Sequence, residues 1–266
     1  MSTLKHKLTR ARYILRTEGF PALASAGRKF FFGSNESYDD KLAHMMALPT
    51  AKDRFTKIHE DNLWCGTDSL SGEGSNLEST RKLRQALPKL ISAYDIHSMV
   101  DAPCGDFAWM RFILPDLNLD YTGLDIVKKI IHVNQSNFAA DNIRFLESDI
   151  CNDPIPVADM IFIRDCLFHL SFQDIEKILQ NLHATDYKYL MTTTHDVQDS
   201  AVFQNTDILS GDFRRIDLFS APFGFRRDSV LEQVEDFEPG QLPRSMVLIA
   251  KKDVPATLSI LEPNKT

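Results

Sequence analysis

The sequence predicts a doubly wound α/β fold, with a mostly parallel sheet of seven strands and a helical extension at the N-terminus. Three apolar runs each end in an aspartate, namely Asp101, Asp125 and Asp149. These aspartates are 24 residues apart, about the length of one strand plus one crossover helix. Because parallel strands end at the same edge of a sheet, we expect the three carboxylates to line that edge.

The composition favours one main domain. The chain has 266 residues, of which 43% are hydrophobic, and this is enough for one core. We expect a basic arm and linker over residues 1–40, the domain over residues 41–254 and a tail over residues 255–266. No apolar run approaches the roughly 20 residues that cross a bilayer, and no secretory signal is apparent, which predicts a cytoplasmic protein. The four cysteines form no spaced cluster that would indicate zinc or a disulfide framework.

The N-terminal arm differs in charge from the rest of the chain. Residues 1–32 hold seven basic residues and one acidic residue, whereas the remainder holds 23 basic and 36 acidic residues. An amphipathic helix is predicted over residues 3–16. Such an arm suits the anionic inner face of a membrane, but docking on the domain or on a partner subunit is equally open. The acidic body argues against a nucleic-acid substrate.

Two irregular stretches precede the first strand. Residues 33–40 are polar and predict a linker, and residues 64–75 are too rich in Gly and Ser for a regular element. Ser75 and Glu78 then form a capping-box pattern that predicts a helix, with a kink at Pro88. The stretch from Trp64 to Ser75 either folds over a bound ligand or is a surface connection.

The turn after the first strand indicates a nucleoside ligand without a pyrophosphate. Residues 99–107 read M-V-D-A-P-C-G-D-F. A dinucleotide site would need glycines where Pro103 and Phe107 stand, because the pyrophosphate requires close approach of the backbone. S-adenosylmethionine carries no phosphate, so one glycine, Gly105, is sufficient. The candidate cofactor-binding residues of this turn are Asp101, Ala102, Pro103 and Gly105.

Two further acids follow the second and third strands. Asp125 is placed to accept both ribose hydroxyls, since two vicinal hydroxyls need an acceptor with two oxygens. Ile126, which follows it, is a further candidate cofactor-binding residue. Its alternative role is a helix N-cap. Asp149 is placed to accept from the adenine amino group while Ile150 packs on the ring. The alternative for Asp149 is the start of a turn.

The remaining strands and helices follow from apolar periodicity. The sequence predicts strands over residues 158–163, 187–194, 229–237 and 245–251, and helices over residues 107–114, 126–133 and 172–182. The last of these helices has a cap formed by Ser171 and Asp174. The segment R-D-C-L-F-H-L-S follows the fourth strand at residues 164–171. Another His/Asp pair, His195 and Asp196, follows the fifth strand.

Residues 198–227 have no clean periodicity, and an irregular insertion of this length is usually functional or disordered. Its aromatic, arginine and acidic residues suit a sugar, which would stack on a ring and be held through its hydroxyls. The candidate acceptor-binding residues are Asp212, Arg214, Arg215 and Phe223. The alternative is a cap packed by its own phenylalanines.

Four separated motifs carry a family resemblance: D-A-P-C-G-D-F at 101–107, R-D-C-L-F-H-L-S at 164–171, T-T-T at 192–194 and G-D-F-R-R-I-D-L at 211–218. Together they resemble a subgroup of class I S-adenosylmethionine-dependent methyltransferases that are often associated with bacterial surface-glycan assembly. The resemblance covers about residues 64–252. It implies a Rossmann-like fold, S-adenosylmethionine as cofactor with Arg164 near it, S-adenosylhomocysteine as product, and a glycan-assembly partner for residues 1–32.

The expected reaction is O-methylation of a sugar, a glycan or another small acceptor. His169 is the first candidate for the general base and His195 the second, while Asp165 could orient either histidine or act itself. One alternative is a magnesium-assisted O-methyltransferase in which Asp165, Asp196 and Asp212 hold the ion. The other is an inactive cofactor-binding scaffold for glycan-assembly enzymes.

Overall fold

The computed structural model describes residues 37–66, 68–197 and 202–259, so the predicted helix over residues 3–16 lies outside the described residues. The α-helices of this part are α1 (Tyr38–Met46), α2 (Ala51–Asp61), α3 (Arg81–Ala93), α4 (Lys128–Phe138) and α5 (Phe172–Ala184). The strands are β1 (Ser98–Asp101), β2 (Asp120–Asp125), β3 (Ile143–Glu147), β4 (Met160–Ile163), β5 (Tyr189–His195), β6 (Val230–Glu235) and β7 (Arg244–Ala250).

The seven strands form one sheet in the order β3-β2-β1-β4-β5-β7-β6. All neighbouring pairs are parallel except those of β7, which runs antiparallel to β5 and β6. The predicted α/β fold with a mostly parallel seven-stranded sheet is therefore confirmed. In the register of the sheet, Asp101 lies beside Gly123 and Asp125 beside Glu147, so β1, β2 and β3 end at one edge.

Apolar side chains cover both faces of the sheet. Along β4, all four residues are buried, and Ile161 and Phe162 face different core clusters. Burial on both faces explains why the central strands read as continuous apolar runs in the sequence rather than as alternating patterns.

One predicted helix does not form. Residues 107–114 contain turns and short 3₁₀ segments, Met110–Phe112 and Leu114–Asp116, in place of an α-helix. Phe107 has a positive φ of 57°, outside the helical region, and Pro115 closes the segment. The buried side chains of Trp109 and Met110 supplied the apolar pattern but pack from an irregular backbone.

The predicted capping box at Ser75 and Glu78 is also wrong, because the helix begins later, at Arg81. The Ser75 hydroxyl donates to the Ser71 carbonyl, and Asn76 Oδ1 accepts from the Ser79 amide at 2.7 Å. This local turn occupies the residues that a helix start at Ser75 would need. By contrast, the Ser171 cap of α5 is present, since its hydroxyl accepts from the Asp174 amide.

Helices α1 and α2 lie in a stretch for which the sequence analysis predicts no helix. α1 begins at Tyr38, inside the predicted linker over residues 33–40, and Ser37 and Asp40 form its capping box. Thr50 caps α2 by accepting from the Asp53 amide. Among the described residues, no helix has the length and apolar character needed to cross a membrane.

The predicted irregular insertion is irregular but well packed over its described part, residues 202–226. Ile216, Leu218 and Phe223 are fully buried in the core on one face of the sheet. The described part of the tail, residues 255–259, is attached to the domain: the Leu258 amide donates to Glu176 at 2.6 Å and the Ser259 amide donates to the Pro222 carbonyl.

Candidate active site

A concave cavity lies at the carboxyl ends of β1 to β4. The candidate residues that line it are Asp101, Pro103, Gly105, Asp125, Ile126, Asp149, Ile150, Arg164, Asp165 and His169. Ala102 is fully buried and is not among the lining residues. The sheet edge predicted from the three aspartates therefore borders one concave site.

Asp101 ends β1 as a buried carboxyl with 4% of its surface exposed. Tyr121, on the neighbouring strand β2, donates to its Oδ2 at 2.6 Å. Burial raises the pKa of Asp101 to about 7, although the Tyr121 hydrogen bond favours the charged form. Asp101 is therefore a desolvated acid that a positively charged ligand would stabilise in its charged form.

The turn after β1 is fixed by the loop before α3. Gly105 has a positive φ of 56°, and a Cβ at this position would lie 2.5 Å from Ser71 Oγ. Asp106 accepts from the Ser69 hydroxyl and the Leu70 amide, both at 2.8 Å. Ser71 also lines the cavity, so the Gly/Ser-rich loop covers the site.

Asp125 ends β2 and is 5% exposed. Its Oδ2 accepts from the Gly105 amide at 3.1 Å, and its Oδ1 accepts from the Val127 amide at 2.9 Å. Burial raises the pKa of Asp125 to about 6, despite these two donors. The carboxylate thus joins the first turn to the second, and the N-cap position of α4 belongs to Val127.

Asp149 lies in the turn after β3 and lines the cavity beside Ile150. Its Oδ1 accepts from the Cys151 amide at 3.0 Å, and its Oδ2 accepts from Asn152 at 2.6 Å. The carboxylate therefore organises a turn at the same place where it meets the cavity.

Arg164 and Asp165 follow β4 in a buried ion-pair network. Arg164 donates to Asp236 through two nitrogens, at 2.8 and 3.2 Å, and to the Gly74 carbonyl at 2.8 Å. Arg244 binds both carboxylate oxygens of Asp165 at 3.1 Å. Burial would raise the pKa of Asp165, but Arg164 and Arg244 lower it below its usual value. Asp165 is therefore held as a carboxylate by two arginines.

His169 lies in a short 3₁₀ turn after β4 and lines the cavity. Its Nδ1 donates to the Asp212 carbonyl at 2.8 Å, and Trp64 stacks on the ring with 4.7 Å between centroids. Burial lowers the pKa of His169 below its ordinary value, which favours the neutral ring at pH 7. With the proton on Nδ1, Nε2 is the basic nitrogen.

His195 is not among the lining residues of this cavity. It is 3% exposed and packs edge-on against Phe168, and its Nδ1 accepts from the Ile216 amide at 3.3 Å. Burial lowers the pKa of His195 to about 4. The structure thus separates the two candidate bases and brings only His169 to the cavity.

The four residues proposed to hold an acceptor also lie away from the cavity lining. Asp212 is exposed and its side chain accepts from the Phe213 amide, while Phe223 is fully buried. Arg215 lies over Phe203. Arg214 is 6% exposed and lies over Phe172, with its guanidinium carbon 4.8 Å from the ring centroid. None of its three guanidinium nitrogens has a hydrogen-bond partner among the residues that the structure describes, and burial lowers the pKa of Arg214 to about 10.

The sequence pattern did not identify the part of the cavity lining that comes from helix α2. This part consists of Ala51, Phe55, Ile58 and His59. Their spacing is that of one helical face, but charged residues alternate with them in a short segment, which weakens the apolar pattern. The Thr50 and Asp53 cap was the one readable signal for this helix.

Neither a protein-family model nor a curated protein matches the chain. Among solved structures, it is similar to the Burkholderia thailandensis 1,6-didemethyltoxoflavin-N1-methyltransferase with bound 1,6-didemethyltoxoflavin and S-adenosylhomocysteine. The TM-score is 0.55 at 12% identity, covering 79% of this chain and 88% of that one.

It is also similar to magnesium protoporphyrin IX methyltransferase from Synechocystis PCC 6803 with bound S-adenosylhomocysteine. The TM-score is 0.52 at 9% identity, covering 76% of this chain and 99% of that one. These identities are too low to carry a substrate from one protein to another, but the architecture agrees. The chain therefore has the fold of the class I S-adenosylmethionine-dependent methyltransferases.

Proposed function

We propose that the cavity binds S-adenosylmethionine and that the chain transfers the methyl group to a small acceptor. The residues present fit this cofactor, because Asp101 and Asp125 are buried acids whose charged forms a cation would stabilise. The cofactor carries a sulfonium and an ammonium group, and it supplies a methyl group that the sulfonium activates. The two solved methyltransferases to which the chain is similar contain bound S-adenosylhomocysteine.

The single observation that supports this reaction is that His169 lines the same cavity as these acids and has a neutral ring with a basic Nε2. The Asp212 carbonyl can only accept, so Nδ1 holds the proton and Nε2 is free to take one. The lowered pKa keeps the ring neutral near pH 7. His169 therefore acts as the general base that removes a proton from an acceptor oxygen, while the cavity aligns the two reactants and excludes water.

We further propose a sugar or glycan hydroxyl as the acceptor. A hydroxyl is a weak acid and needs a base more than an amine does. Trp64 and Phe55 provide aromatic surfaces beside His169, which suit the apolar face of a sugar ring. The resemblance of the sequence to methyltransferases of surface-glycan assembly supports the same class.

The test is H169A with labelled cofactor and a panel of glycan acceptors. We expect affinity for S-adenosylhomocysteine to stay within about twofold and turnover to fall at least about 10²-fold. In the wild type, the acidic limb of the kcat profile should lie below pH 6.5, since the pKa of His169 is lowered. H195N is the comparison variant. Loss of turnover in H195N but not in H169A would reassign the base.

The magnesium alternative has less support from the described residues. Asp165 is held by two arginines, Asp196 accepts from the Ser245 hydroxyl, and the exposed Asp212 binds its own loop. No group of three potential ligands is present among these residues. Complete loss of turnover with a chelator, restored by Mg²⁺, would favour this alternative. Tight cofactor binding without turnover on any acceptor would favour the inactive scaffold.

A further inference from the structure

Helix α2 is joined by Arg54 to the loop over residues 210–214. The Arg54 side chain is charged, yet only 5% of the residue is exposed. Its Nε donates to the Ser210 carbonyl, and its Nη1 donates to the Leu48 carbonyl at 2.6 Å. Because the donors of a guanidinium form a rigid planar fork, two such bonds fix both its position and its orientation. Arg54 therefore holds the Ser210 carbonyl at a defined place relative to α2.

The peptide group between Ser210 and Gly211 extends this contact to His169. Its carbonyl accepts from Arg54, and its N–H donates to the His169 carbonyl at 2.8 Å. A charged donor at the carbonyl polarises the peptide group and so strengthens the hydrogen bond made by its N–H. Gly211 has a positive φ of 108°, and a Cβ there would lie 3.2 Å from Cβ of Arg54. One planar group thus lies between the guanidinium and the backbone of the proposed base.

The next residue of the same loop holds the imidazole ring. The Asp212 carbonyl accepts from Nδ1 of His169 at 2.8 Å. The Arg214 amide donates to the Phe168 carbonyl at 3.1 Å, which adds a third hydrogen bond between the loop and the turn that contains His169. A carbonyl can only accept, so its position beside Nδ1 decides which nitrogen carries the proton. The protonation pattern of the ring therefore depends on where the loop lies.

We infer that Arg54 is a positioning residue for His169. By fixing the Ser210 carbonyl, it places the Asp212 carbonyl against Nδ1, and this leaves Nε2 as the basic nitrogen. Arg54 is not among the residues that line the cavity, so it acts through the loop and not on a reactant. In this assignment Asp212, a candidate acceptor-binding residue in the sequence, contributes its backbone carbonyl to the base. The inference rests on the proposed function and adds a residue to the same reaction.

The experiment uses the full chain in three variants. R54M removes both donors and keeps an apolar stem, R54K keeps the charge without the planar fork, and R84M is the matched control. Arg84 on α3 also donates to a backbone carbonyl, that of Leu77 at 2.7 Å, but it does not line the cavity.

The first measurement is the ¹⁵N spectrum of the ligand-free protein with labelled histidine, in which protonated and unprotonated ring nitrogens differ in chemical shift. H169Q assigns the signals of His169. In the wild type, Nδ1 should carry the proton. In R54M, the ratio of the Nδ1-protonated to the Nε2-protonated form should fall about fivefold or more, since the hydrogen bond that favours the first form is weakened.

The second measurement is turnover of the glycan acceptors with labelled S-adenosylmethionine. In R54M, kcat should fall about tenfold or more, because the base is misplaced, while KM and S-adenosylhomocysteine affinity stay within about threefold. R54K should lie between R54M and the wild type in both measurements. R84M should match the wild type.

The outcomes separate this inference from the proposed function. Wild-type ring signals in R54M, or equal losses of kcat in R54M and R84M, would overturn the inference while methyl transfer stands. Full turnover in H169A would overturn the proposed base and the inference with it. Should R54M not fold by circular dichroism, R54K and R54Q are compared instead, because neither can bind both carbonyls in the geometry of a guanidinium. Wild-type ring signals and kcat in both variants would then refute a role for Arg54.

Discussion

Replacing Asp101 by asparagine should stabilise the ligand-free protein at neutral pH and weaken cofactor binding. The native carboxyl is buried, with its pKa raised to about 7, whereas an unfolded aspartate has a pKa of about 3.9. The folded protein thus holds this proton more tightly than the unfolded chain does. The contribution of Asp101 to stability therefore falls as pH rises from about 4 to about 7.

Asparagine has no proton to lose in this range and can still accept from Tyr121. The free energy of unfolding of D101N minus that of the wild type should therefore grow with pH. Two-state linkage with these two pKa values gives an increase of about 2.5 kcal/mol between pH 5 and pH 8. The stability gained at pH 8 should be accompanied by weaker binding of S-adenosylmethionine, since a charge that faces the cationic ligand is lost.

The assay is urea denaturation of both proteins at half-unit pH intervals, with calorimetry of cofactor binding at pH 8. D116N, at an exposed position, makes the same chemical change outside the cavity and serves as the control. A D101N difference that does not change with pH, or a variant less stable than the wild type at pH 8, would refute the assignment of Asp101 as a desolvated acid. Unchanged cofactor affinity would remove Asp101 from the binding site.

Three further changes test other parts of the structure. G105A should lower the free energy of unfolding by roughly 1–3 kcal/mol and weaken S-adenosylhomocysteine binding. The reason is that the added Cβ meets Ser71 and that the positive φ disfavours alanine. Unchanged thermal denaturation would contradict this prediction. R214M should raise the free energy of unfolding by about 1–3 kcal/mol, because it removes a buried guanidinium that has no hydrogen-bond partner in the described part of the chain. R226M, at an exposed site, should not raise it. A rise in acceptor KM for R214M would keep Arg214 as a substrate contact. Deletion of residues 1–36 should leave S-adenosylhomocysteine affinity within about twofold, and an unfolded truncation would instead make the arm part of the core.

The cavity-lining residues at the strand ends could be predicted, because each follows a strand whose apolar pattern is clear in the sequence. Asp101, Asp125, Asp149 and His169 each come after an apolar run, and parallel topology alone brings such positions to one edge. The cavity-lining residues of helix α2 could not be predicted in the same way. Helix α2 has few apolar residues, and Phe55 and Ile58 both line the cavity and pack in a small cluster with Met45 and Leu63, so the apolar periodicity of the helix is weak.

The partners of the strand-end residues were also beyond prediction. Asp236 is 72 residues from Arg164, and Arg244 is 79 residues from Asp165. No local pattern links such positions, and the sequence alone favoured Asp165 as a partner for histidine. Likewise, the aromatic and charged residues around Phe223 were compatible with either a sugar site or a packed cap, and burial of Phe223 depends on contacts distant in sequence, such as that with Phe172.

The long-range ion pairs of Arg164 have a consequence for synthesis on the ribosome. A nascent chain that ends before Asp236 already contains β1 to β5 and the cavity-lining residues Asp101, Asp125 and Asp149. It lacks the carboxylate that holds Arg164, and it lacks β7 with the arginine that holds Asp165. We therefore expect the chain to gain cofactor affinity only after β6 and β7 have been synthesised and have joined the sheet.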